Sequence, residues 1–536
     1  MPETDKMCEK ERLIVRYCNI FGKFVVSVEN YCKQEKMNKK LLGMLLLGAA
    51  SMCCTAEAQR ITILSANDTH SAVLPTDDGM GGLLRQKVLV DSVRRADENV
   101  VAVHAGDAVQ GTVYFSMFRG EIEYALLDSI GYDYCVLGNH EFDNGIEELA
   151  ERYKDVKACK LSANYDFAST PLDGIFVPYH IRRYGDKRIA FMGINLEPKG
   201  MIADKNVTGL VFTNAKTVAL KLSEYLKTTG LADYVVMISH IGYRDEDSDT
   251  DYNIVQESRY IDMVIGGHSH TMITPGDSLH LVKNADGRPI PICQAGRYGK
   301  YVTKTIFDLS DGSTEYELLP VDARYDAAVA ANKAMLEWMK PYDERVYEVM
   351  HKRIATSECE MLNTEVRHLS NFVTDAVKEI IAEKWGKVDF AIMNRGGIRQ
   401  SLPKGDISEG MITSMLPFDN RLTVLRIKGS DLMEAFGVMA SRGGDAVSKE
   451  IEVKMSENKK VEWAKLNGKK IDPKATYTMV TVDYLANGGD YMEPLTRAER
   501  LFEDDVPYGG LVLEYVKQLD AQGKTINPAS NNRMHY

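Results

Sequence analysis

The chain has no surplus of basic residues. Its 65 Lys and Arg stand against 77 Asp and Glu, a net charge of −12 over 536 residues. Such an acidic balance argues against a binder of nucleic-acid backbones. Small phosphates stay within reach, because a bound cation supplies local positive charge. There is no cysteine framework either. Of nine cysteines, Cys8, Cys18, Cys32, Cys53 and Cys54 precede residue 59. The other four, Cys135, Cys159, Cys293 and Cys359, lie far apart with no CxxC spacing. That excludes a zinc finger and a disulfide-stapled fold, and Cys135, inside an apolar run, reads as a buried thiol. Internal repeats and low-complexity tracts are also lacking. The apolar run Leu41 to Ala50 is too short to span a bilayer, which takes about 20 residues.

That short run has another use. Met37-Asn38-Lys39-Lys40 is a basic start, and Ala56-Glu57-Ala58 is a small-x-small cleavage pattern before Gln59. Residues 37–58 therefore read as a signal peptide. Translation is expected to start at Met37, with residues 1–36 a spurious N-terminal extension. The mature chain is expected to be exported, to the periplasm or the cell surface, without a membrane span. Cys53 and Cys54 raise a lipoprotein alternative, although Met52 fits poorly before a lipidated cysteine.

What is present is ordinary for a globular protein: 44% hydrophobic and 26% charged residues, in a length sufficient for two or three domains. Strands are expected at 60–65, 100–104, 133–137, 234–239 and 261–265, alternating with helices at 83–96, 122–130 and 214–228. A hairpin turn is expected at 183–187, and β-rich segments at 290–294 and 301–309. This predicts stacked mixed sheets covered by helices. Residues 322–350 read as a helical bridge broken at Pro341, a break that would suit a hinge. A second α/β domain follows, with an amphipathic helix through Phe372, Val373, Ala376, Val377, Ile380 and Ile381. Strands are expected at 388–393, 422–427 and 477–482, and Asn467-Gly468 marks a hairpin turn. The expected boundaries are 59–322 for the first domain, 323–350 for a linker helix and 351–536 for the second domain.

The first domain is organised around Gly138-Asn139-His140-Glu141-Phe142-Asp143, a turn between an apolar strand and a helix. Asn139 offers a neutral amide oxygen to a metal, His140 an imidazole that can carry a proton near neutral pH, and Asp143 a carboxylate to fix its tautomer. Four further strands end alike: Asp68-Thr69-His70, Gly106-Asp107, Ser239-His240 and His268-Ser269-His270. Any one of these is an ordinary turn or rim residue. Six of the eleven histidines lie at strand ends within residues 61–270, and five of the six belong to these clusters. Strand ends in α/β sheets are where ligands bind. A two-metal centre needs a bridging carboxylate and mixed N/O ligands with its ions about 3.5–4 Å apart, and Asp107 is the natural bridge. Imidazoles with a few carboxylates suit zinc or manganese better than calcium. Such a pair of ions generates hydroxide at neutral pH and neutralises a phosphoryl transition state. His104, before Gly106-Asp107, reads as structural.

In the second domain, Asn394-Arg395-Gly396-Gly397-Ile398-Arg399 has two glycines that let backbone approach a ligand. Arg399 can fork onto a phosphate or can simply be a solvated turn residue. Phe418, in Leu416-Pro417-Phe418-Asp419-Asn420, and Tyr484, before Leu485-Ala486-Asn487-Gly488-Gly489-Asp490, are aromatics on loops. They either pack into the core or stack a base, worth about 1–3 kcal/mol per base in nucleic-acid binders.

The order Asn-Asp-x-His, Gly-Asp, Gly-Asn-His-Glu-x-Asp, His, Gly-His-Ser-His resembles the calcineurin-like metallophosphatases. With the second domain, the chain from about residue 60 to 500 resembles the 5'-nucleotidase family, which includes UDP-sugar hydrolases and 2',3'-cyclic phosphodiesterases. The resemblance implies a four-layer αββα sandwich followed by a smaller α/β substrate-binding domain, a mixed α/β (α+β) class. It implies one metal on Asp68, His70, Asp107 and His270, and another on Asp107, Asn139, His240 and His268. It implies that His140, supported by Asp143, stabilises the transition state or protonates the leaving oxygen. It implies substrate contacts from Arg367, Asn394, Arg399, Phe418, Tyr484 and Asp490, with the two aromatics stacking the base and Asp490 on the ribose. The position of His270 is a Gln in some members, and that of Tyr484 is often Phe. The second domain is expected to rotate and carry substrate to the metals. The expected enzyme is an exported phosphoric monoester hydrolase, a 5'-nucleotidase in which metal-bound hydroxide attacks a nucleoside 5'-monophosphate. The alternatives on this scaffold are a cyclic-nucleotide phosphodiesterase with 3'-nucleotidase activity, or a UDP-sugar hydrolase. A catalytically silent nucleotide-binding protein is the alternative of another class.

Overall fold

The computed structural model describes residues 60–244 and 249–536. The expected signal peptide, the extension before it, and Cys53 and Cys54 lie outside the described residues. Residues 60–183 and 187–536 form one compact unit.

Two six-stranded sheets build its first part. In spatial order, one holds Thr314–Pro320, Tyr301–Asp308, Arg60–Ala66, Val100–His104, Tyr134–Cys135 and Cys159–Lys160. The other holds Leu281–Lys283, Pro289–Cys293, Met263–Ile265, Tyr234–His240, Lys187–Asn195 and Tyr179–Tyr184. Strand alternation sorts the side chains into layers. Leu64, Ala66, Val100 and Ala102 join a core with Leu83, Leu89 and Val90 of the helix Leu83–Ala96. Ala190, Met192, Val235 and Met237 do the same with Ala219 and Leu226 of the helix Ala215–Thr228. The intervening Ile61, Ile63, Phe191 and Ile238 are equally buried but face the other sheet. Ring pairs cross that space: Tyr134 on Phe191 at 4.5 Å, and Tyr234 on Phe307 at 4.9 Å. The result is the helix–sheet–sheet–helix order expected from the sequence.

In each sheet the central strands run parallel, Arg60–Ala66 with Val100–His104 and Tyr134–Cys135, and Lys187–Asn195 with Tyr234–His240 and Met263–Ile265. Their C-terminal ends therefore gather at one edge of each sheet.

The second part centres on a five-stranded sheet of Ala446–Val447, Phe390–Met393, Thr476–Val482, Arg421–Lys428 and Glu499–Pro507. The helices His368–Lys384, Gly429–Ser441 and Tyr508–Ala521 pack on it in a single core that includes Val373, Val377, Phe436 and Val512. Asn467 and Gly468 both adopt positive φ, as a tight hairpin turn requires.

Two expectations need correction. The bridge is not broken at Pro341, which lies inside the helix Lys333–His351 on its exposed side. A proline there loses one helical N–H bond and can turn its ring to solvent. The chain breaks instead at Asn332, whose side chain accepts from Met335 N at 3.2 Å and starts the long helix. The strand expected over 133–137 pairs only at Tyr134–Cys135. Val136 and Leu137 are just as buried, but the Leu137 carbonyl accepts from Asn195 Nδ2 at 2.6 Å instead of from a neighbouring strand.

One buried group makes the fold sensitive to pH. Glu123, in the helix Glu121–Ile130, is fully buried, and burial pushes its carboxyl up to about 7. A raised folded pKa means that stability is retained below the unfolded value near 4.5 and is lost as pH rises through 7. Glu123→Gln is thus expected to match the parent near pH 4 and to exceed it at pH 8 by up to about 3 kcal/mol. Melting both proteins at the two pH values checks this, and an equal offset at both would refute it.

Candidate active site

Five strand ends from two sheets converge on one buried cluster. The first sheet delivers Asp68 and His70 after Arg60–Ala66, Asp107 after Val100–His104, and Asn139 and His140 after Tyr134–Cys135. The second delivers His240, the last residue of Tyr234–His240, and His268 and His270 after Met263–Ile265. Three sets of side chains each bring their ligand atoms within 4.8 Å of one another: Asp68, His70 and His270; His70, Asp107 and His140; and Asp107, His240 and His268. His70 Nε2 lies 2.9 Å from His270 Nε2, and 3.8 and 3.9 Å from Asp68 and Asp107. His240 Nε2 is 3.2 Å from Asp107 Oδ2, and His268 Nδ1 is 3.0 Å from Asn139 Oδ1. Asp107 is the carboxylate common to two of the sets.

The backbone that aims these side chains is strained. Asp68, His70, Asp107, His268 and His270 all have positive φ, between 46° and 77°. Asp and His tolerate the left-handed region better than most residues, at a cost of order 1–3 kcal/mol each. Glycine makes the loops fit. A Cβ on Gly106 would lie 2.5 Å from the His240 ring and 2.7 Å from Gly138 N, and one on Gly138 would collide with the Asp107 carboxylate.

The donor set suits a divalent transition metal. Burial holds His70 far below its usual pKa and His268 down at about 4, so both imidazoles are neutral, the form that ligates. His240 differs. Burial opposes a charge there, but Asp107 and Asp68 outweigh it and push the imidazole up to about 10. Its Nδ1 donates to Ala105 O at 2.7 Å, and its buried Nε2 has no hydrogen-bond partner although Asp107 is close. A cation at this point would satisfy that nitrogen and take the place of the proton.

His140 stands at the edge of the cluster. Its Nδ1 pairs with Asp143 Oδ2 at 2.8 Å, and its backbone N–H donates to Asp107 Oδ1 at 2.9 Å. Burial works against its charge, yet Asp143 and Asp107 raise its pKa above the ordinary value. The Phe418 ring, on the second part of the chain, stacks on His140 at 6.0 Å, and the Arg399 guanidinium lies 5.9 Å from the Phe418 ring.

These residues open on a cavity of about 380 Å³. Asn139, His140 and Asp143 line it from one side, and Asn394, Arg399, Phe418, Tyr484 and Asp490 from the other. Tyr484 is not on a loop as expected but on the short helix Asp483–Ala486, and is half-buried. Its hydroxyl lies within hydrogen-bonding distance of Gly200 O at 2.9 Å and of Asp490 Oδ1 at 3.1 Å. Asp490 also accepts from Asn394 Nδ2 at 2.9 Å. Arg367 is not among the lining residues. It precedes the helix His368–Lys384 with its side chain about half exposed, 3.8 Å from Glu365. His104 is buried against Thr69 and Tyr132 and belongs to none of the three ligand sets.

The sequence did not point to Met201, Lys205 and Asn206, which line the same cavity from the first part, the latter two on the short 3-10 helix Asp204–Val207. Lys205 pairs with the buried Asp483 at 2.7 Å, and Asn206 donates to Asp143 O at 3.1 Å. That segment carries no motif, and its only sequence signal is the polar run Asp204-Lys205-Asn206 between apolar residues.

Comparison with known proteins agrees with this geometry. Residues 61–272 match the calcineurin-like phosphoesterases, and residues 346–497 match the 5'-nucleotidase C-terminal domain. The 5'-nucleotidase of Homo sapiens is 28% identical over 92% of this chain and 93% of its own length. That of Vibrio cholerae is also 28% identical, over 87% and 93%. The crystal structure of the 5'-nucleotidase precursor from Thermus thermophilus is 26% identical and superposes with a TM-score of 0.76, covering 89% of this chain and 99% of that one. Two matched domains, the strand-end ligand cluster and a shared architecture place this chain in the 5'-nucleotidase family of metal-dependent phosphoric monoester hydrolases.

Proposed function

We propose that the chain releases phosphate from nucleoside 5'-monophosphates, using two divalent ions such as zinc or manganese. One ion is assigned to Asp68, His70, Asp107 and His270, and the other to Asp107, Asn139, His240 and His268. When bound, such a pair activates water and neutralises charge on a phosphoryl group in transfer. The observation that carries this reading is the shared cavity: Asn139, His140 and Asp143 meet Asn394, Arg399, Phe418, Tyr484 and Asp490 around one space.

The chain's own residues then divide the work. Asp143 fixes the His140 tautomer through Nδ1, leaving Nε2 to carry a proton to the leaving 5'-oxygen. Arg399 supplies a fixed positive charge to the phosphate. Phe418 and Tyr484 offer apolar faces to the base, and Asp490 accepts from the ribose hydroxyls. Export rests on residues 37–58, and among the described residues no helix is long and apolar enough to cross a membrane.

Phosphate release from AMP by residues 59–536 should vanish with a chelator and return with manganese or zinc. No release from a metal-loaded protein would instead favour diesters or nucleotide sugars. His140→Ala should lower kcat by a factor of about 10²–10⁴, the usual reach of acid–base catalysis, with little change in AMP binding. Near-normal turnover would remove its role. The double change Phe418→Ala with Tyr484→Ala should raise KM for AMP tenfold or more, at about 1–3 kcal/mol per stacked base, and spare a small phosphate ester. Equal losses on both substrates would argue against stacking.

A further inference from the structure

Glu141 belongs to the turn around which the first part is organised, yet neither the ligand set nor the substrate cavity uses it. It is 4% exposed and, among the described residues, forms no ion pair. Its carboxylate instead takes three backbone N–H groups. Oε1 accepts from Ala108 N at 2.8 Å, and Oε2 accepts from Asp107 N at 3.1 Å and from Gly138 N at 2.6 Å. The Asp107 carboxylate returns the grip through its bond from His140 N at 2.9 Å. Two ligand-bearing loops, from neighbouring parallel strands, are thus tied in both directions by two acidic side chains.

This arrangement is oriented toward Asp107. Its backbone is left-handed, with φ 53°. A residue held in that region persists only where its surroundings over-determine it. Two of the three donors that Glu141 collects belong to Asp107 and the residue after it, and the third belongs to Gly138, which touches the Asp107 carboxylate. An uncharged apolar side chain at position 141 would leave three buried N–H groups without an acceptor. A glutamine would turn its amide N–H₂ toward at least one of them.

We infer that Glu141 is a positioning residue: it fixes the backbone of Asp107 so that this carboxylate stands between the two ion positions. The inference rests on the ligand assignment of Asp107 made above. It assigns Glu141 neither a contact with substrate nor a ligand bond.

The test compares the wild-type chain with Glu141→Gln and Glu141→Asp. Four quantities are measured: manganese or zinc affinity by competition against a chelating dye, the melting temperature of the metal-stripped protein, and kcat and KM for AMP at saturating metal. Partners that orient metal ligands typically carry a 10–100-fold effect on affinity or activity. Glu141→Gln should therefore weaken metal binding about tenfold or more and lower kcat at saturating metal. KM should move by less than about threefold, since position 141 does not line the cavity. Glu141→Asp keeps the charged acceptor and should recover part of the metal affinity. A Gln variant that binds metal as the wild type does, with a drop only in melting temperature, would make Glu141 a structural residue and overturn the inference. Wild-type protein that binds no metal at all would instead overturn the ligand assignment beneath it.

Discussion

The burial of Asp107 among imidazoles is the constraint on which the rest depends. A carboxylate 2% exposed is expensive to remove from water unless it is paired and hydrogen-bonded. Here it lies close to His240 and His70, with Asp68 near both. Among protein groups, this negative charge is offset by His240, whose imidazole Asp107 and Asp68 push above its ordinary pKa against the cost of burial. A divalent ion would offset it more directly, since the neutral His240 Nε2 could then ligate it beside the Asp107 carboxylate. Metal affinity and the stability of this edge of the sandwich are therefore two aspects of one electrostatic requirement.

That requirement explains why two sheets are needed. One sheet's strand ends supply Asp68, His70, Asp107, Asn139 and His140, while the other supplies His240, His268 and His270. Within a sheet, parallel neighbours are about 4.8 Å apart, so a single edge gives a row of side chains, not a cage. Stacking two sheets closes the cage from the opposite side. The intersheet layer of Ile61, Ile63, Phe191 and Ile238 holds that stacking, and the tight glycine contacts at 106 and 138 allow the loops to meet without a gap. Large apolar burial far from the cluster thereby stabilises five left-handed residues of the candidate metal site that would not hold their geometry alone.

Much of this was legible in the sequence, for a physical reason. Strand ends in a parallel sheet share an edge, so Asp68, Asp107 and Asn139 had to lie together once their strands were recognised. The same logic gave His240 and His268. What failed to show were features set by tertiary contact. Pro341 looks like a helix breaker, but an exposed helix face tolerates it. Val136 and Leu137 look like strand, but Asn195 takes the bond a neighbour would have made. Tyr484 looked like a loop aromatic because the glycines and the acid lie just beyond it, yet four residues suffice for a helical turn. Arg367 had only a weak surrounding motif, and it faces outward. Lys205 and Asn206 were invisible, since their place in the cavity arises from a short helical turn meeting a distant part of the chain.

The cavity joins the two parts of the chain through the residues proposed to recognise substrate. Tyr484 and Asp490 both bond to the Gly200 carbonyl, Lys205 pairs with Asp483, and Lys199 pairs with Glu493. These contacts differ in weight. Lys199–Glu493 and Arg119–Asp419 are exposed on both sides, and such pairs contribute about 0–1 kcal/mol each. Asp483 is almost fully buried, so its pairing with Lys205 is screened less by solvent. The contacts at Gly200 sit where Tyr484 also faces the cavity. Under the proposed function, a nucleoside between Phe418 and Tyr484 would meet a platform already bonded to the first part, and the Asp490 carboxylate, which Tyr484 and Asn394 already contact, would also face the ribose. A phenylalanine at position 484 would still offer its face to a base but would make neither the Gly200 nor the Asp490 bond. The hydroxyl therefore links the proposed recognition surface to the contact between the two parts.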